Sequence, residues 1–111
     1  MRTLRFVVDG KSISPDPKCN FDGLVPGTDD SIQAEFIFKS DEWKACPKVV
    51  AFWSMLGREY PPQILESGKT TCMIPEEALK RERFKVQVIA KKTGYTIKTD
   101  KLIVHQRGVN R

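Results

Sequence analysis

The stretch FKSDEWKACPKVVAFW, residues 38–53, decides the fold. Its first residue closes an alternating segment, SIQAEFIFKS, in which Ile32, Ala34, Phe36 and Phe38 share one face and Gln33, Glu35 and Lys39 the other. That period of two is a β-strand with one wet side. Ser40-Asp41-Glu42 then reads as a polar turn, and Pro47 marks the start of a second strand, KVVAFWSML, over 48–56. Here Val49, Ala51, Trp53 and Met55 point one way, and Val50, Phe52 and Leu56 the other. Apolarity on both faces belongs to a central strand, or to one whose outer face meets a partner. Trp43 falls in the connection. A tryptophan so placed closes the open end of a core, burying its ring while its N–H finds an acceptor.

Working outward, Leu4, Phe6 and Val8 alternate along an opening strand, and Asp9-Gly10 favours the positive φ angles of a tight hairpin. Lys11–Ser14 is the return strand. Residues 15–31 are rich in proline, glycine and aspartate, so no central strand runs there. This is an irregular loop, pinned to the body by Phe21, Leu24 and Val25. After Leu56, Gly57 and Pro61-Pro62 bracket a turn with Tyr60 at its bend, followed by a short edge strand over 63–66. TTCMI (70–74) is β-prone. In PEEALKRER the period changes: Pro75 suits a first helical position and Glu76 and Glu77 complement the positive helix end. A short helical turn over 75–81, anchored by Leu79, results. FKVQVIAKK is the clearest strand, with Phe84, Val86, Val88 and Ala90 inward and Lys85, Gln87 and Lys91 outward. Thr93-Gly94 turns it into a segment carrying Tyr95, Ile97, Leu102 and Val104, with a bulge expected at Lys98–Lys101. The tail 107–111 reads as frayed.

These elements predict an all-β chain: one antiparallel sandwich domain over 1–111, Ig-like or jelly-roll-like, of six to eight short strands. Its core positions are Phe36, Phe38, Trp43, Phe52, Ile74, Pro75, Leu79, Phe84, Val86 and Val88. At 111 residues, with 30% charged and 40% hydrophobic side chains, the chain has the size and composition of one ordinary domain. No apolar run approaches the roughly 18 residues of a membrane helix. No leader is read at the N-terminus, so synthesis in a reducing bacterial cytoplasm is expected.

Residues that carry chemistry are sparse. Cys19, Cys46 and Cys72 form no CxxC pair, and His105 is the only histidine, so a zinc site is not expected. The thiols read as small apolar groups. Cys46 and His105 are the only thiol–imidazole combination, and no catalytic residue is assigned. Asp16, Asp22, Asp29 and Asp30 lack a calcium-binding spacing. No metal or cofactor is expected. Residues 1–55 carry 7 basic and 8 acidic groups, and residues 56–111 carry 12 and 6. Lys80, Arg81, Arg83 and Lys85 form a basic run. The one aromatic among them, Phe84, has core parity, which argues against nucleic acid, where exposed aromatics stack on bases. The outward lysines can instead blunt sheet edges or face an acidic protein.

The series FIFKSDEW, KVVAFW, TCMIPEEAL, FKVQVIA and IKTDKLIV resembles the small β-sandwich domains of tailed-bacteriophage virions, known from tail and baseplate proteins of phages infecting Gram-positive bacteria. The matched positions are Phe36, Phe38, Trp43, Lys48, Ala51, Phe52, Cys72, Ile74, Pro75, Glu77 and Leu79, within roughly residues 31–105. Two departures stand out. Ala51 and Phe52 are adjacent, and Thr99-Asp100 replaces a frequent Thr-Asn. The resemblance implies a non-enzymatic structural subunit of the virion, present in many copies in a symmetric assembly and bound to other virion proteins. Trp53, Met55 and Tyr60, with Lys85, Lys91 and Lys98 facing an acidic neighbour, are the expected docking residues. A head decoration protein of the same fold and a small phage inhibitor of a host protein are the alternatives.

Overall fold

A computed structural model describes residues 2–21, 32–44 and 46–106. The expected anchors Leu24 and Val25, the acids Asp22, Asp29 and Asp30, and the tail 107–111 lie outside the described residues. Nine strands are present among those described: β1 (Arg2–Asp9), β2 (Ser12–Pro15), β3 (Ile32–Phe38), β4 (Lys48–Trp53), β5 (Gln63–Leu65), β6 (Thr71–Met73), β7 (Arg83–Lys92), β8 (Tyr95–Lys98) and β9 (Leu102–His105). A 3-10 turn (Asp41–Trp43) and a single α-helical turn, α1 (Glu76–Leu79), complete the fold.

The strands form two sheets. The first has the order β2-β1-β3-β6, and the second β5-β4-β7-β8, with β9 also on β7. The chain is an all-β sandwich, and alternation is the cause. Leu4, Phe6 and Val8 from β1 and Ala34 and Phe36 from β3 meet Val50 and Phe52 from β4 and Phe84, Val86 and Val88 from β7, all almost fully buried. Burying one such side chain contributes about 1.5–3 kcal/mol, so the shared interior is the main stabilising term. Phe6 stacks on Phe36 with centroids 5.5 Å apart, and Phe21 meets Phe6 edge-on at 5.6 Å, so this loop anchor is in place.

One pairing departs from a purely antiparallel sandwich. β1 and β3 run parallel, with Phe6 opposite Phe36. β2 occupies the edge beside β1, and the long 16–31 connection brings the chain back to the starting end before β3 begins. Parallel neighbours require such a crossover. Below β2, Asp16–Cys19 covers the remaining β1 edge. Asp16 N–H donates to the Arg5 carbonyl at 2.9 Å, Arg5 N–H donates to Cys19 Sγ at 3.3 Å, and the Cys19 thiol donates to the Thr3 carbonyl at 3.6 Å.

The ends of the sandwich are closed by side chains. Trp43 is fully buried, 5.9 Å from the Phe38 ring, and its Nε1–H donates to the Gly10 carbonyl at 2.6 Å. Gly10 sits at φ 60° in the β1–β2 turn, a conformation glycine adopts without strain. At the other end, Gln106 is buried and its Nε2 donates to the carbonyls of Leu79 and Arg81 at 2.9 and 2.8 Å, closing α1 onto β9. The expected bulge at 99–101 is real and ties the two sheets together. Thr99 exchanges bonds with the Val88 backbone, and Asp100 Oδ1 accepts from Ile13 N–H at 3.1 Å across the sandwich edge.

Two expectations are corrected. The β4 strand stops at Trp53 instead of Leu56. Ser54 N–H donates to the Arg58 carbonyl at 2.7 Å and Gly57 takes φ 92°, so the chain reverses early and leaves Leu56 99% exposed. Tyr60, expected at an exposed bend, is buried. Its N–H donates to the Phe52 carbonyl at 2.8 Å, which continues the β4 pairing and turns its ring into the core.

Candidate docking face

Register fixes which side chains share the outer face of the second sheet. Directly paired residues point the same way across a sheet. Ile64 lies opposite Val49, Val49 opposite Ile89, and Ile89 opposite Lys98, giving one row across four strands. Two residues along, Ala51 lies opposite Gln87; two further, Trp53 lies opposite Lys85 and Lys85 opposite Ile103. Glu59 bridges to Trp53 from the other side. The outer surface is thus apolar through its centre: Ile64 is 72% exposed, Ile103 40% and Val49 36%.

The charges around that centre are mostly basic. Lys85, Lys91 and Arg83 project from β7, Lys98 from β8, and Lys101 lays its Nζ 4.0 Å from the Trp53 ring centroid. None of these cations belongs to an ion pair among the described residues. The first sheet differs. On its outer face Arg5 Nε donates to Glu35 Oε1 at 3.0 Å and Arg5 Nη1 lies 3.5 Å from Asp16 Oδ2, so its principal charges are satisfied internally. Those two acceptors raise the pKa of Arg5, Glu35 more strongly than Asp16. A further feature marks the second sheet. Trp53 Nε1 is buried without a hydrogen-bond partner among the described residues. A buried orphan donor costs about 1–3 kcal/mol, which an acceptor supplied from outside would offset.

The structure therefore gathers Trp53, Lys85, Lys91 and Lys98 on one face. Met55 lies beyond the end of β4, half-buried in the 54–57 turn, and Tyr60 is inside. Sequence reasoning missed Ile64, Ile89, Ile103 and Lys101. Ile89 was detectable as the one apolar residue at an outward position of β7, and Ile103 by the same parity in β9. Lys101 was not, because its reach to Trp53 depends on the bulge.

Other candidate chemistry is not assembled. Cys46 is buried near the start of β4, its thiol donating to the Trp43 carbonyl at 3.5 Å. His105 pairs with Arg83 at the far end of β7, while Val49 pairs with Ile89. Six residues of strand, roughly 20 Å, separate those two levels. The three cysteines are free, and burial pushes the Cys72 thiol up to about 12. Among the described residues no three His, Cys, Asp or Glu side chains converge on a metal position, and no helix is long and apolar enough to cross a membrane. A groove of about 460 Å³ near α1 mixes Arg58, Lys80 and Arg81 with Glu59 and Glu77 and has no dominant charge.

No protein family, no curated protein and no solved structure matches this chain.

Proposed function

We propose that the chain is a non-enzymatic structural module of a tailed-phage virion. It docks in the tail or baseplate through the outer face of the second sheet onto an acidic protein surface. The observation that carries the reading is the apolar row Ile64–Val49–Ile89 with Trp53 and Ile103, ringed by cations that have no carboxylate of their own. Burying exposed aliphatic groups supplies affinity, and unpaired lysines supply steering and choice of partner. Two copies meeting face to face bring like charges together, so the face fits a different, acidic chain. Several copies then sit around an assembly by each docking on one acidic subunit. The virion setting rests on the resemblance of residues 31–105 to phage sandwich domains.

The test is direct. Particles of a phage encoding the chain are purified through a density gradient, and the chain is counted by quantitative mass spectrometry and located by immunogold microscopy. The expected result is several copies per particle at the tail or baseplate. Absence from the particle refutes the virion assignment, and label confined to the head refutes the tail placement.

A further inference from the structure

A separate site lies at the Trp43 end, inside the mouth of the sandwich. Lys48 opens β4 with the inward parity of Val50 and Phe52, yet it is a lysine and only 3% exposed. Its Nζ donates to the Cys46 carbonyl at 2.9 Å and lies 4.7 Å from the Phe38 ring centroid. An ammonium has three donors and a full charge; one carbonyl and one ring face satisfy it only in part. No carboxylate pairs with it among the described residues. The groups around it sharpen the imbalance. Burial lowers its pKa most, and nearby Lys92 lowers it further, against an opposing influence of Cys46.

Lys48 opens onto a groove of about 390 Å³. Phe36, Ile37, Phe38 and Trp43 contribute apolar wall, and Lys44 and Lys69 stand on its rim. The one carboxylate lining it, Glu35, is already bonded to Arg5 Nε at 3.0 Å. The groove is therefore apolar in body and lacks one negative charge, and a buried unpaired charge is what an incoming counter-charge relieves most. We propose that this groove binds an acidic side chain of a protein segment with apolar neighbours, the carboxylate resting on Lys48 Nζ and the neighbours on Ile37 and Phe38. The site uses none of the residues of the docking face, so each reading stands or falls alone.

The probes are two blocked tripeptides, acetyl-Phe-Glu-Leu-amide and acetyl-Phe-Gln-Leu-amide, with 3-phenylpropionate as a small-molecule arm. Each is titrated into the full chain at physiological salt while backbone amides and the Trp43 indole N–H are followed by NMR. The Glu peptide is expected to shift Ile37, Gly68, Lys69 and the Trp43 indole, and to bind about ten-fold more tightly than the Gln peptide. Lys48→Met is expected to erase that difference while keeping the dispersed spectrum of the fold; Lys69→Met, at the exposed rim, reduces it and covers the case of a misfolded Lys48 variant. Equal binding of the two peptides, shifts confined to other surfaces, no shift at roughly 5 mM Glu peptide, or a Glu preference surviving in folded Lys48→Met overturns the proposal. Binding of 3-phenylpropionate with neither peptide overturns the assignment to a protein segment.

Discussion

Replacing Trp43 with phenylalanine isolates what the indole contributes beyond an aromatic ring. Phenylalanine keeps a ring against Phe38, now at 5.9 Å, but removes the donor that bonds the Gly10 carbonyl at 2.6 Å. Gly10 is half-buried, so its carbonyl regains some water and the lost bond costs about 1 kcal/mol. The missing pyrrole edge takes away apolar contact comparable to two methylenes in a fully buried place, about 1.5 kcal/mol. Together the change costs about 2–4 kcal/mol, a large share of the 5–15 kcal/mol typical of a domain. The midpoint should fall by roughly 10 °C. Trp53→Phe is the matched control, because Trp53 is half-exposed and its buried Nε1 has no partner. Removing an orphan donor should change stability by no more than about 0.5 kcal/mol. The chain has 2 tryptophans, so each variant keeps one fluorescent reporter for urea titration, with circular dichroism as the second probe. A Trp43→Phe cost within about 0.5 kcal/mol, or equal costs for both variants, would refute the argument that the indole–Gly10 bond closes this end.

Three further outcomes are expected. Asp100→Ala removes the acceptor of Ile13 N–H and should cost about 1 kcal/mol, with faster hydrogen exchange at Ile13; unchanged exchange there contradicts the sheet-to-sheet tie. With its pKa at about 12, Cys72 is thiolate in only about one molecule in ten thousand at pH 8, so it should be labelled by a disulfide reagent far more slowly in the folded chain than in urea. Equal rates in the two states would show the thiol to be unburied. Lys48 has a folded pKa below its usual 10.5, so between those two values the unfolded chain holds more protons and stability rises with pH. The advantage of Lys48→Met over the parent should therefore be largest near neutrality and shrink as pH climbs towards 10.5; an advantage that grows with pH contradicts the sign.

Much of this fold is legible in the sequence because alternation reports burial directly. Leu4, Phe6 and Val8, or Phe84, Val86 and Val88, announce a strand and its inner face in the same pattern. The Asp9-Gly10 hairpin, the Thr99-Asp100 bulge and the role of Trp43 are local or nearly local, and turn chemistry or one bulky residue indicates them. What stays hidden is long-range. The parallel β1–β3 pair depends on how a long connection returns, and no period encodes that. Continuing β4 to Leu56 was natural from apolarity, yet the Ser54–Arg58 hydrogen bond and Gly57 end it early. Tyr60 resumes pairing with β4 only once that turn has formed, so its burial was not visible. The docking face was half legible. Trp53 and the outward lysines follow from parity, whereas the row from Ile64 to Lys98 needs the register of four strands. Lys48 gave no warning, because a lysine at a strand start reads as solvated until the neighbouring Phe38 ring is placed over it.

Incorporation of surface variants into virions tests the docking face most directly. Ile103→Glu places an acid in the middle of the cationic apolar surface, and Ser14→Glu makes the same change at an exposed position of the other sheet. Copies per particle are counted for both, alongside thermal midpoints of the isolated proteins. The expected result is at least about a ten-fold loss for Ile103→Glu, from a contact worth roughly 1.4 kcal/mol or more, with both midpoints unchanged and Ser14→Glu incorporated normally. Undiminished incorporation of Ile103→Glu, or an equal loss for Ser14→Glu, would contradict it.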